Sequence, residues 1–169
     1  MEKESVKQDA DIKNKITTAI SRCGKLHKFL PSPLLPIQLK LRLYESAVIS
    51  LLTYGSESWD LNDKEIKQLN GANSRMLSWF TGKSIPAEAR PCSTSFNVIT
   101  AIRKRRLRWV GHLLRAGPTH LGYQDLQAQM NLGRPGNLLM DAPTHHSLQD
   151  LTRLAKDRAY WSQLVAAIH

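Results

Sequence analysis

Apolar residues recur along this chain at helical spacing, and strand signals are few. Ile12, Ile16, Ile20, Cys23, Leu26 and Leu30 stand three or four apart, which predicts an amphipathic helix over 9–30. Pro31, Ser32 and Pro33 stop it, because proline lacks a donor and restricts the residue before it. A second helix starts near Pro36 and carries Leu39, Leu43, Ala47, Val48, Leu51 and Leu52 on one broad face to about Tyr54 and Gly55. This is the predicted core helix. Asn62 with Glu65 three residues on reads as a capping box opening a third helix, which uses Ile66, Leu69, Met76, Leu77 and Phe80 and ends at Gly82. Gly71 weakens it mid-way. Residues 82–96 read as a loop. A fourth helix runs from about Phe96 to Arg115, closed by Gly117 and Pro118. The stretch 118–147 has little periodicity, and Gly133, Arg134, Pro135 and Gly136 break it. A last helix, about 148–168, puts Leu151, Leu154, Leu164, Val165 and Ile168 on one side.

The expected fold is therefore all-α, with four or five helices. The organisation is a flexible N-terminus over 1–8, a helical bundle over 9–92, a basic helix over 93–117, a linker-like extension over 118–147, and a loosely packed C-terminal helical arm over 148–169. Short connections at 31–36 and 56–62 favour antiparallel neighbours in the bundle.

The fourth helix changes the picture from fold to function. Advancing about 100° per residue, Val98, Ile99, Ile102, Leu107, Trp109, Val110, Leu113 and Leu114 fall in one half-circle. Lys104, Arg105, Arg108, His112 and Arg115 fill the opposite arc. Such a helix docks its apolar wall on a core and presents guanidinium forks to phosphates. The bland alternative is a solvated face, or a nuclear-import signal using the run Arg103 to Arg108. Arg103 and Arg106 project from the apolar side, where an unpaired charge is costly, so they either snorkel to solvent or pair with an acidic residue elsewhere.

Composition agrees with a polyanion partner. Lys and Arg number 24 against 14 Asp and Glu, a net charge of +10. At 41% hydrophobic and 22% charged the chain is globular, not of the disordered class. No stretch approaches the roughly 18 apolar residues of a membrane span. Cys23 and Cys92 are the only cysteines, so neither a disulfide framework nor a cysteine zinc site is indicated, and an intracellular setting is expected. Cys23 with His27, and His145–His146 with His112 and His120, make too thin a ligand set for zinc. No metal or cofactor is expected, and no nucleophile elbow or phosphate loop is present. Trp59, Trp79, Trp109 and Trp161 could stack on bases, but each sits among apolar neighbours and is expected in the core.

Several strings also follow one another in a known order. They are residues 11–16, residues 40–48, Leu52-Thr53-Tyr54-Gly55-Ser56-Glu57-Ser58-Trp59, Leu107-Arg108-Trp109-Val110-Gly111-His112 within 102–115, Gly133-Arg134-Pro135, and Lys156-Asp157-Arg158-Ala159-Tyr160-Trp161. The series resembles the C-terminal region of non-LTR (LINE-type) retrotransposon endonuclease/reverse-transcriptase polyproteins and covers residues 9–168. In that family this region follows the palm and forms the helical thumb and a C-terminal extension. The resemblance implies that 9–30, 37–55 and 62–81 are thumb-like helices holding a template–primer duplex of RNA and DNA, with 96–115 as a basic wall. It also implies an apolar surface on the first or second helix that evolved against the palm. The palm's metal-binding Asp pair has no counterpart, since the chain contains no Asp-Asp. No polymerase or nuclease activity is expected, and the Met1 start suggests a truncated element copy. The extension departs from the family around Gly133-Arg134-Pro135, where Asn131-Leu132 precede and Gly136-Asn137-Leu138 follow. The rival function is a helical interaction module whose basic helix binds an acidic protein or an anionic membrane.

Overall fold

A computed structural model describes residues 2–27, 35–81, 96–131 and 147–168. Among these residues every regular element is a helix, and the fold is all-α. The proline stop at 31–33, the Gly82 cap, most of the loop 82–96, Cys92, the breaker at 133–136 and the His145–His146 pair lie outside the described residues. The chain divides into two compact units, residues 1–54 with 61–101, and residues 55–60 with 102–169.

The first unit begins with α1 (Glu2–His27). Its predicted apolar stripe is inward: Ile12, Ile16 and Cys23 are buried, with Ala19 beside them. Residues 2–8, expected as a flexible arm, are instead the first turns of this helix. The sequence there is rich in good helix formers. Lys13 pairs with Asp9 at 2.6 Å and Lys15 with Asp11 at 2.8 Å, each one turn apart. α2 (Ile37–Tyr44) starts after Pro36, passes through a π-helical segment (Glu45–Ile49) and continues as α3 (Ser50–Thr53). Leu41, Tyr44, Val48 and Leu52 are buried from it. Gly55, at φ 66°, takes the left-handed conformation just beyond, which only glycine adopts at little cost.

α4 (Asp63–Thr81) is opened by the expected capping box. Asn62 N–H donates to Glu65 Oε2 at 2.9 Å, and Glu65 N–H donates to Asn62 Oδ1 at 3.0 Å. Glu65 is itself buried, and its carboxylate also accepts from Gln8 Nε2 of α1 at 3.1 Å. One side chain thus caps α4 and ties it to α1. Leu69, Met76 and Phe80 complete the core. Phe80 meets the Tyr44 ring edge to face at 5.0 Å, and Tyr44 donates its hydroxyl to Asn73 Oδ1 at 2.5 Å.

The second unit contains a short 3-10 turn (Ser56–Ser58), most of α5 (Val98–Ala116), and α6 (Leu121–Asn131), α7 (Leu148–Lys156) and α8 (Arg158–Ala166). Its core joins Leu107, Val110, Leu113 and Leu114 to Tyr123 and Leu126, and to Leu151, Ala155, Trp161 and Val165. Two expectations are corrected here. The stretch 118–147 is not merely a linker, because α6 packs Tyr123 and Leu126 inward. Its other positions are mostly polar, so three inward residues including Met130 leave no long apolar period to read. The arm 148–168 is neither loose nor continuous. Asp157 adopts an extended conformation (ψ 98°), ends α7, and accepts the Tyr160 N–H at 3.0 Å as the cap of α8.

Candidate nucleic-acid interface

α5 is positioned by its cap and by its packing. Asn97 Oδ1 accepts the Ile99 N–H at 2.9 Å, which satisfies an otherwise orphaned donor of the first turn. Within the second unit Leu107, Val110, Leu113 and Leu114 are buried as the sequence predicted. Gly111 lies on the same side. A Cβ there would fall 2.7 Å from Trp161 Cδ1 and Cε2, so only glycine admits the indole of α8. Trp161 Nε1 donates to the Leu107 carbonyl at 2.9 Å, which satisfies the one polar atom of a buried ring.

The cations of α5 do not share one fate. Arg105 Nε lies 3.1 Å from Glu57 Oε1, with both side chains half-buried. Arg106 is buried, and its Nη2 donates to the Trp59 carbonyl at 2.8 Å. A charged donor on a backbone oxygen offsets part of the desolvation cost that its inward position implied. Arg103 is half-buried. Arg115 Nη1 donates to the Ala155 carbonyl at 3.0 Å. Burial, and after it the charge of Arg158, lower the Arg115 pKa from its ordinary value.

Of the five residues predicted to contact phosphates, Lys104, Arg108 and His112 lie one turn apart along the outer face. Arg108 and His112 are exposed and Lys104 is half-buried. Lys104 and Arg108 make no hydrogen bond or ion pair among the described residues. Arg105 and Arg115 flank this stripe with part of each guanidinium committed to the fold.

Trp109 is a correction. Its periodicity puts it on the apolar wall, yet it is 41% exposed. It sits about 100° round the helix from Val110, at the margin of the apolar arc. There its ring stacks on His112, with centroids 5.3 Å apart and planes 25° from parallel. His120, just beyond α5, meets His112 edge-on at 6.4 Å. The sequence contained the signal, a tryptophan one helical turn from a histidine at the edge of a cationic arc, but periodicity alone gave it to the core.

A second surface belongs to the first unit. A cleft of about 410 Å³ is lined by Asn14, Lys15, Thr18, Arg22, Ser50, Leu51 and Tyr54. Tyr54 is 72% exposed, and Leu39 and Leu43, one turn apart on α2, are exposed as well. Elsewhere in this unit Cys23 is fully buried, and burial pushes its thiol pKa up to about 11. Among the described residues no cluster of three or more His, Cys, Asp or Glu could hold a metal ion. Among them no helix is long and apolar enough to cross a membrane. Compared with known proteins, the chain matches no protein-family model, no curated protein and no solved structure.

Proposed function

We propose that this chain is a non-catalytic, nucleic-acid-holding region of a non-LTR retrotransposon RNA-directed DNA polymerase, corresponding to its thumb and C-terminal extension. The observation that carries the reading is a convergence within the second unit. Two stretches far apart in the sequence, 57–59 and 156–161, each contact the 102–115 helix. Glu57 and the Trp59 carbonyl hold Arg105 and Arg106, while Trp161 seats on Gly111. This packing supports one shared purpose for the strings: a rigid helix whose outward positions are left to Lys104, Arg108 and His112. Each phosphate neutralised there releases counterions, which supplies affinity without regard to sequence. Between Arg103 and Arg115 the helix carries no Asn or Gln that would read a base edge.

In the first unit, exposed Leu39, Leu43 and Tyr54 support a surface evolved against a palm domain. Four carboxylates among the described residues are already engaged within the fold. Glu65 is occupied by its cap and Gln8, Glu57 by Arg105, and Asp9 and Asp11 by lysines. Two-metal phosphoryl transfer needs close, free carboxylates on a rigid frame.

Direct competition tests the assignment. Labelled RNA–DNA duplex is bound at low salt and challenged with an acidic peptide and with anionic lipid vesicles. Preferential retention of the duplex is expected. Displacement by peptide or vesicles at equal charge would favour a protein- or membrane-binding module.

A further inference from the structure

The inference rests on the nucleic-acid reading of α5 and goes beyond its phosphate contacts. We infer that Trp109 and His112 form a stacking platform for an unpaired base, with Arg108 and Lys104 holding the backbone of the same single strand.

Trp109 is the large apolar side chain that α5 leaves in solvent, while Leu107, Val110, Leu113 and Leu114 of the same helix are buried. Exposed indole is unfavourable in water unless a partner covers it. Its ring is not loose on the surface. The near-parallel stack on His112 and the edge contact of His120 hold three rings side by side. A platform fixed in advance loses less conformational entropy on binding. The charged surroundings decide which flat, apolar group fits. Arg108 is adjacent and exposed, and Lys104 lies one turn before it, so the ligand is planar and anionic at once. A nucleotide strand has both properties. A duplex hides its base faces within its own stack, whereas a single strand presents one at every step. Because every base has a π-face, the preference is for unpaired nucleotides and not for a sequence.

The test compares a short homopolymeric single strand with a blunt duplex of equal phosphate number. Affinity and tryptophan fluorescence are read for the wild-type chain and for Trp109→Ala, Trp109→Phe and Arg108→Ala. The single strand should quench the wild-type emission. Trp109→Ala should weaken single-strand binding on the order of tenfold, the effect of losing one stacked base, and leave the duplex unchanged. Trp109→Phe, which keeps a flat ring, should recover most of that loss. Arg108→Ala should weaken both ligands. Since Trp109 sits at the margin of the apolar arc and is 41% exposed, circular dichroism should show every variant folded. If Trp109→Ala binds the single strand as well as wild type while Arg108→Ala weakens both ligands, the platform is refuted and the phosphate reading stands. If neither oligonucleotide binds at low salt, both fall. Equal quenching by an acidic peptide would overturn the platform in favour of a protein ligand.

Discussion

Trp109 and Trp161 both interrupt apolar runs, yet one is exposed and the other buried. A period of 3.6 places residues at the centre of an arc well and those at its margin poorly, which is why periodicity puts the exposed Trp109 on the apolar wall. Trp161 depends on a missing Cβ at Gly111, fifty residues earlier, and no local pattern announces such a contact. Arg106 was recognisable as an anomaly, but its acceptor is the backbone carbonyl of Trp59, which every residue possesses. Cys23 was legible as a buried member of the α1 stripe, and its burial has a measurable consequence. A thiol whose folded pKa is raised binds its proton more tightly when folded than unfolded. Its stabilising contribution is complete below the ordinary pKa of 9.0 and is lost as pH rises towards about 11. Tyr44 shifts upward too, chiefly by burial and then through Cys23, and acts in the same direction. Urea unfolding of wild type should therefore lose stability more steeply across this window than Cys23→Ala, by on the order of 1–2 kcal/mol. The variant will be less stable at neutral pH because of its cavity, but flatter. Parallel pH profiles would contradict the account.

Glycines in the middle of helices give the sharpest contrast at the scale of elements. Gly71 in α4 faces open space, with nothing within 4 Å of an added Cβ. Gly71→Ala should stabilise by about 0.5–1 kcal/mol, the ordinary helix preference for alanine. Gly111→Ala in α5 gains the same preference but drives a methyl into the Trp161 indole, so it should destabilise by about 1–3 kcal/mol. Thermal melts decide, and equal signs for the two variants would refute the close packing of α5 and α8. The same scale shows what the sequence could and could not convey. The Asn62–Glu65 box was readable because both partners lie within one turn. The helices α1, α4 and α5 were readable because each buries a long stripe. α6 was missed because its few inward residues, Tyr123, Leu126 and Met130, lie in a polar run. The break at Asp157 is not legible because the apolar period continues across it, while the aspartate's extended backbone and capping hydrogen bond separate α7 from α8. The Ser147–Asp150 box, which opens α7, carries Asp where the usual signature carries Glu or Gln.

At the scale of the whole molecule, a net charge of +10 says that a polyanion is attracted and not where it sits. Part of the basic run is consumed internally, since Arg105 and Arg106 hold the 56–59 segment and Arg115 holds α7. The candidate site was thus legible as a helix and a face. Its outer members were not separable from its inner ones until their partners were known. On the proposed non-catalytic reading, primer extension on a homopolymer template with magnesium or manganese should yield no product. Turnover that disappears on mutating one of the chain's carboxylates would contradict the non-catalytic assignment. The central claim is that the outer stripe of α5 grips phosphates, and the salt dependence of RNA–DNA duplex binding tests it most directly. Log affinity against log salt should be linear, and Lys104→Ala/Arg108→Ala should flatten the slope by about two while weakening unrelated sequences alike. A double variant with unchanged affinity and unchanged slope would mean that this face is only solvated.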